Sequence, residues 1–171
     1  MSNVSQFIGS GWVPLETIEL TGAVANVNFD SNIDDTFNNY VVTGTHTLSG
    51  SQLIYCRLKT GDPSATISTG YRSLYTGPRS STGSSSTNVF QASISQYTGS
   101  FITYFMNLRS SDAFKSIVSQ GTGYTSASLT MSVRNYTNAL LDTSIINGIQ
   151  LYPSSGNINT GKFTLYGIKE L

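Results

Sequence analysis

The chain has 171 residues, with nine Lys plus Arg against nine Asp plus Glu, so it lacks the basic excess on which nucleic-acid binding by counterion release depends. Hydrophobic residues at 38% and aromatics at 11% suffice for the core of one domain, with neither a disulfide nor a metal needed to hold it. Charged side chains make up only 11%, against about 25% in ordinary soluble domains; Ser, Thr, Asn and Gly fill the deficit, which suits a surface that packs against a neighbour.

Residues 1–11 are polar, with Phe7 and Ile8 as their apolar anchors. They are expected to form a short N-terminal arm that orders on a neighbour, followed by one β domain over 12–171. Strands are expected at Val13–Leu20, Ala25–Phe29, Tyr40–Thr47 and Gln52–Lys59, the last two joined by a hairpin turn at Leu48-Ser-Gly-Ser51. The Ser/Gly-rich stretch Gly77–Thr87 reads as a mobile loop. The β pattern resumes at Val89–Gln96, and Thr98-Gly99-Ser100 separates it from a strand at Phe101–Arg109.

Ser110–Gln120 fits either a short helix, through Ala113, Phe114, Ile117 and Val118, or a strand, through Phe114, Ser116 and Val118. Tyr124–Arg134 gives the clearest alternation. Ala127, Leu129, Met131 and Val133 should face a core, and Ser128, Thr130 and Ser132 should face water. Asn135–Thr143 reads as a loop or helical turn, and Pro153-Ser-Ser-Gly-Asn157 links closing strands at Ile145–Tyr152 and Lys162–Ile168. Many short strands between turn signals predict an all-β, antiparallel β-sandwich or jelly-roll-like single domain.

No charged-then-apolar leader opens the sequence, and no apolar run approaches the roughly 18–20 residues of a membrane-spanning helix. The expectation is a soluble chain made in a cytoplasm, with no membrane and no nucleic-acid partner. The lone Cys56 shares a strand face with Ile54 and Leu58 and should be a buried thiol. His46, the sole histidine, lies on one face with Val42 and Gly44. No Gly-x-Ser-x-Gly elbow accompanies it, so a satisfied or exposed histidine is expected in place of a catalytic one.

Asp30-Ser-Asn-Ile-Asp34-Asp35 begins like a calcium loop but lacks the following Gly and the closing Glu, so Asp30, Asp34 and Asp35 are expected in Asx turns and caps. Glu16 and Glu19 would face opposite sides of a strand. Gly121-Thr-Gly123 has no helix behind it to make a phosphate cradle. Neither a cofactor nor a metal is expected. Tyr71, Tyr75, Tyr97 and Tyr124 fall at loop or strand ends, where tyrosine suits protein contacts and stacking on sugars alike.

Two segments carry a resemblance. Phe29-Asp-Ser-Asn-Ile-Asp-Asp-Thr-Phe-Asn-Asn-Tyr40 resembles the F-x-x-x-I-D-x-x-Y-x-x-Y opening of small β-sandwich virion proteins of tailed bacteriophages, with Phe37 in place of the usual Tyr. Ile146-Asn-Gly-Ile-Gln-Leu151, Ser155-Gly-Asn-Ile-Asn-Thr-Gly161 and Phe163-Thr-Leu-Tyr-Gly-Ile168 resemble the closing I-N-G-I … S-G-N-I-x-x-G … L-Y-G-I signature of that family. With Trp12 and Ser68-Thr-Gly-Tyr71, the resemblance covers most of the chain after the arm. It implies a non-enzymatic structural component of a phage particle, found on heads, tails or fibre tips, with no catalytic residues to carry over.

The expected role is an exterior capsid decoration or cement subunit in the virion. Such a subunit would be homo-oligomeric and anchored on other virion proteins through Phe7, Ile8 and Trp12. The alternative is a tail-fibre or receptor-binding module in which Tyr75 and the Gly77–Thr87 loop touch a host surface glycan.

Overall fold

A computed structural model describes residues 11–50, 52–61, 65–77, 80–81, 85–87, 90–91, 97–124 and 131–169. Two antiparallel sheets pack face to face, and the described residues contain no helix. The strands are β1 (Trp12–Leu20), β2 (Val27–Phe29), β3 (Asn39–Leu48), β4 (Ile54–Thr60), β5 (Ala65–Thr66), β6 (Tyr71–Gly77) and β7 (Ser80–Ser81). They continue with β8 (Ser85–Thr87), β9 (Phe90–Gln91), β10 (Thr98–Met106), β11 (Lys115–Tyr124), β12 (Met131–Leu140), β13 (Ile146–Pro153) and β14 (Ile158–Ile168). The large sheet has nine strands in the order β1-β14-β3-β10-β11-β12-β6-β7, with β8 also on β6; the small sheet has five, β2-β13-β4-β5, with β9 also on β4.

Period-two patterning, interrupted at bulges, builds the core. Tyr40, Val42, Phe101, Phe105, Ile117, Leu140, Phe163 and Leu165 point inward from the large sheet. Phe29, Ile54, Cys56, Leu58, Ile149 and Leu151 meet them from the small one. Cys56 is buried as expected, and burial pushes its thiol well above the ordinary range.

The two segments with family resemblance pack on one another. Phe29, Ile33 and Tyr40 are buried, Phe37 stacks edge-on to Tyr40 at 6.1 Å, and Gly167 lies directly under the Phe37 ring. A Cβ at Gly167 would come within 2.4 Å of that ring, so the glycine is a close-approach position. It sits in regular register opposite Tyr40 and Val13. The bulges fall between Pro14 and Glu16, Ile146 and Gly148, and Ile158 and Thr160.

Several local expectations give way to long-range pairing. Leu48–Ser51 does not close a hairpin: β3 belongs to the large sheet and β4 to the small one, and Ser49 N–H donates to Asn157 C=O across the end of the sandwich. Of the Gly77–Thr87 stretch, Ser80–Ser81 and Ser85–Thr87 are strands paired to β6, where a free loop is expected. Thr98, Gly99 and Ser100 belong to β10, which ends where Asn107 takes a left-handed φ of 63°. Ser110–Gln120 resolves into a turn followed by β11, which runs through Gly121 and Gly123. Asn135–Leu140 is strand, not loop.

The largest correction concerns Tyr124–Arg134. Tyr124 ends β11 and pairs with Met131 at the start of β12, so the chain reverses between them; residues 125–130 lie outside the described residues. The face is inverted as well. Met131 and Val133 are exposed, whereas Tyr136, Asn138 and Leu140 point into the interior.

Polar groups on the inner face are paired locally. Thr103 and Ser119 share a hydroxyl hydrogen bond at 3.0 Å, and Ser73 donates to Asn138. The Lys115 ammonium donates to the carbonyls of Ser110, Ala113 and Thr143. Tyr71, expected at a loop end, is fully buried; its hydroxyl donates to Ile67 C=O at 3.0 Å and accepts from Leu58 N–H at 3.0 Å. Tyr71→Phe leaves the Leu58 amide unsatisfied in the interior, and urea titration should show a loss of about 1–3 kcal/mol. A neutral outcome would mean that the amide finds another acceptor.

Candidate functional site on the outer face of the large sheet

Candidate chemical centres disperse. Asp30 takes the Lys59 ammonium at 2.9 Å, Asp35 pairs with the Arg109 guanidinium, and the Asp34 carboxylate caps Thr36 N–H at 2.9 Å. That backbone bond, together with the Thr36 hydroxyl, holds Asp34 below its usual range. The three acids therefore serve three separate contacts, and no group of three metal-ligating side chains occurs among the described residues. Glu16 accepts from Asn32 and Glu19 faces Lys162 at 3.6 Å, on opposite sides of β1 as the spacing requires.

His46 is neither exposed nor satisfied. It is 3% accessible on the inner face, and neither ring nitrogen has a partner among the described residues. Loss of water lowers its pKa to about 4. Its ring lies 5.9 Å from that of Phe101, and no acid or hydroxyl hydrogen-bonds to it among the described residues.

The outward face of the large sheet has a different character. Five positions on each of five adjacent strands point out. These are 160 to 168 on β14, 39 to 47 on β3, 98 to 106 on β10, 116 to 124 on β11 and 131 to 139 on β12, every second residue. Lys162 is the one charged residue among them. The rest are Thr, Ser, Asn and Gln with Ile, Val, Met, Ala and Tyr. Hydroxyls bridge neighbouring strands at Thr17–Thr164 (3.0 Å), Ser100–Thr122 (3.2 Å) and Thr47–Thr98 (3.4 Å).

One row across this face is raised. Trp12 from the edge strand lies 5.6 Å from Tyr166 and 5.8 Å from Tyr104, centroid to centroid. Together they seal Val41, which is fully buried although it points away from the core. Val118 continues the row onto β11 in register with Tyr104. Trp12 nevertheless remains 42% exposed.

Further along the same strands lie two shallow depressions. One, of about 380 Å³, is lined by Ser100, Ile102, Gln120, Thr122 and Val133. The other, of about 250 Å³, is lined by Thr43, Thr45, Ser100, Lys162 and Thr164. Ser100 and Phe101 are common to both. Of the large side chains left exposed, Trp12, Met106, Val118, Tyr124, Met131 and Val133 belong to this one face. Aromatics, Met and hydroxyls with almost no charge make up the composition of an interface core.

Of the residues singled out from sequence, Trp12 lies in this site. Tyr97 and Tyr124 are exposed as expected. Phe7 and Ile8 lie outside the described residues, as does the side chain of Tyr75, whose backbone pairs with Tyr136. Sequence reasoning missed Tyr104, Tyr166 and the Thr/Ser rows. Their signal was present as hydroxyls recurring at alternate positions: Thr43, Thr45 and Thr47; Thr98, Ser100 and Tyr104; and Ser116, Thr122 and Tyr124.

No family model and no curated protein matches the chain. Among solved structures it is similar to exo-inulinase from Aspergillus awamori at 10% identity and a TM-score of 0.45, covering 92% of this chain and 29% of that one. It is also similar to a chain in the structure of infectious bursal disease virus, Gx strain, at 10% identity and a TM-score of 0.13, covering 95% and 37%. The chain thus spans about a third of the length of each, and likenesses this distant carry no functional argument.

Proposed function

We propose that the chain is a non-enzymatic structural subunit of a bacteriophage particle, an exterior decoration or cement protein that works by packing against copies of itself and other virion proteins. The observation that supports this reading is the outward face of the large sheet, where five strands carry a single charge among hydroxyls, amides and exposed apolar side chains. Such a face gains its binding energy from close packing and desolvation. The described residues also lack any convergent set of titrating groups, the starting point for acid–base or nucleophilic chemistry. The terminal arm with Phe7 and Ile8 precedes Trp12 and supplies a second anchor.

Mass spectrometry of purified particles of the encoding virus should find the chain at a fixed copy number, and cryo-EM should place it on the exterior. Chain lacking residues 1–11 should keep its circular dichroism spectrum and melting temperature but fail to occupy particles stripped of the native subunit. Absence from purified particles ends this reading.

A further inference from the structure

We infer that the outward face of the large sheet docks on the same face of a second copy of this chain, forming a two-fold dimer; the inference rests on the structural role proposed above. Charge, area and relief each favour this occupant.

The charge pattern permits self-pairing. A face that carries like charges repels its own copy, but here Lys162 alone is charged across the five strands, and Glu19 stands beside it. The extent is sufficient. With edge strand β1, which carries Trp12, six strands at about 4.8 Å spacing and nine-residue runs at about 3.4 Å per residue give a patch of about 24 by 27 Å, or about 650 Å². Two such patches together remove about 1,300 Å², within the range of about 1,200–2,000 Å² typical of stable specific interfaces.

Relief fixes the arrangement. The raised row runs through Tyr166, Tyr104 and Val118, one residue from each strand. The floor of the depressions runs through Lys162, Ser100 and Thr122, four residues away on the same strands. An axis lying in the plane of the face, across the strands through Thr164, Thr43, Ile102 and Gln120, exchanges these two rows. Each copy then sets Tyr104 over Ser100 of the other and Val118 over Thr122, filling both depressions reciprocally. Self-complementarity of this kind is what an isologous contact requires.

Sedimentation equilibrium of the full chain should give a mass near twice 18.4 kDa at micromolar concentrations. Val118→Asp and Thr122→Lys, both at exposed positions, should each raise the dissociation constant about a hundredfold by leaving a charge unpaired in the interface. Thermal melts should show both variants folded. The double variant V118D/T122K should recover the dimer, because the axis brings each new acid to the new base of the other copy.

Three outcomes overturn the pairing: a monomer at every concentration, a dimer indifferent to both single changes, or a double variant no better than either single one. A monomer retained on neutral dextran and released by T122K assigns the face to a glycan and equally overturns it. A monomer that still occupies particles discards the dimer while leaving the structural role intact, so the two failures are distinguishable.

Discussion

Phe163→Ala is expected to lower the unfolding free energy by about 3–5 kcal/mol. Phe163 is fully buried, its ring stands 6.2 Å from that of Phe101, and both rings close over Gly44 on the strand between them. A Cβ at Gly44 would lie 2.5 Å from Phe101 Cε1 and 2.9 Å from Phe163 Cδ1. The glycine is there for space. Gly44→Ala should accordingly cost about 1–3 kcal/mol through overpacking.

The two changes should not add. Removing the Phe163 ring opens room into which Phe101 can shift, so Gly44→Ala should cost less in the Phe163→Ala background than alone. Urea midpoints of the four proteins measure this coupling; strict additivity would show that the rings do not share the space. Phe101 also lies beneath both surface depressions, so this core triangle sets the floor of the proposed contact.

Acid should weaken the fold through His46. Its unfolded pKa is 6.5 and its folded pKa is about 4, because the buried ring has lost water without gaining a partner among the described residues. Between these values the unfolded chain binds the proton and the folded chain does not, so stability rises with pH across the window. The contribution is fully present above pH 6.5 and disappears as pH falls towards 4, a loss of about 3 kcal/mol at about 1.4 kcal/mol per pKa unit.

Asp34 and Asp142, both held below their usual range by hydrogen bonds from Thr36 and Ser144, also lose stabilisation in acid. The comparison must therefore be between wild type and His46→Leu. The leucine variant should lose about 3 kcal/mol less than wild type between pH 7 and pH 4 in denaturant titrations. Parallel pH profiles would show that the ring is hydrated or paired.

The stapling of the sandwich ends was invisible locally. Asp35 lies 74 residues from Arg109, whose guanidinium also donates to Ile146 C=O at 3.0 Å. Asn38 takes the amides of Leu108 and Arg109 through its carbonyl and side chain. These acids read as Asx-turn formers in sequence, and Asp34 is one. The remaining pairs follow only once β2, β10 and β13 converge at one end.

By itself, the sequence determined the class of fold, the site of most strands, the burial of Cys56 and the shortage of charge, since these depend on composition and on residues two apart in one strand. Which sheet each strand joins, which of its two faces points inward and where the chain reverses were decided by the tertiary structure. Met131 and Val133 illustrate the reason. Alternation names two faces without saying which is covered, and here pairing of β12 with β11 and β6 turned Tyr136, Asn138 and Leu140 inward. Met131 and Val133 were thereby left on the surface, where they became part of the candidate interface.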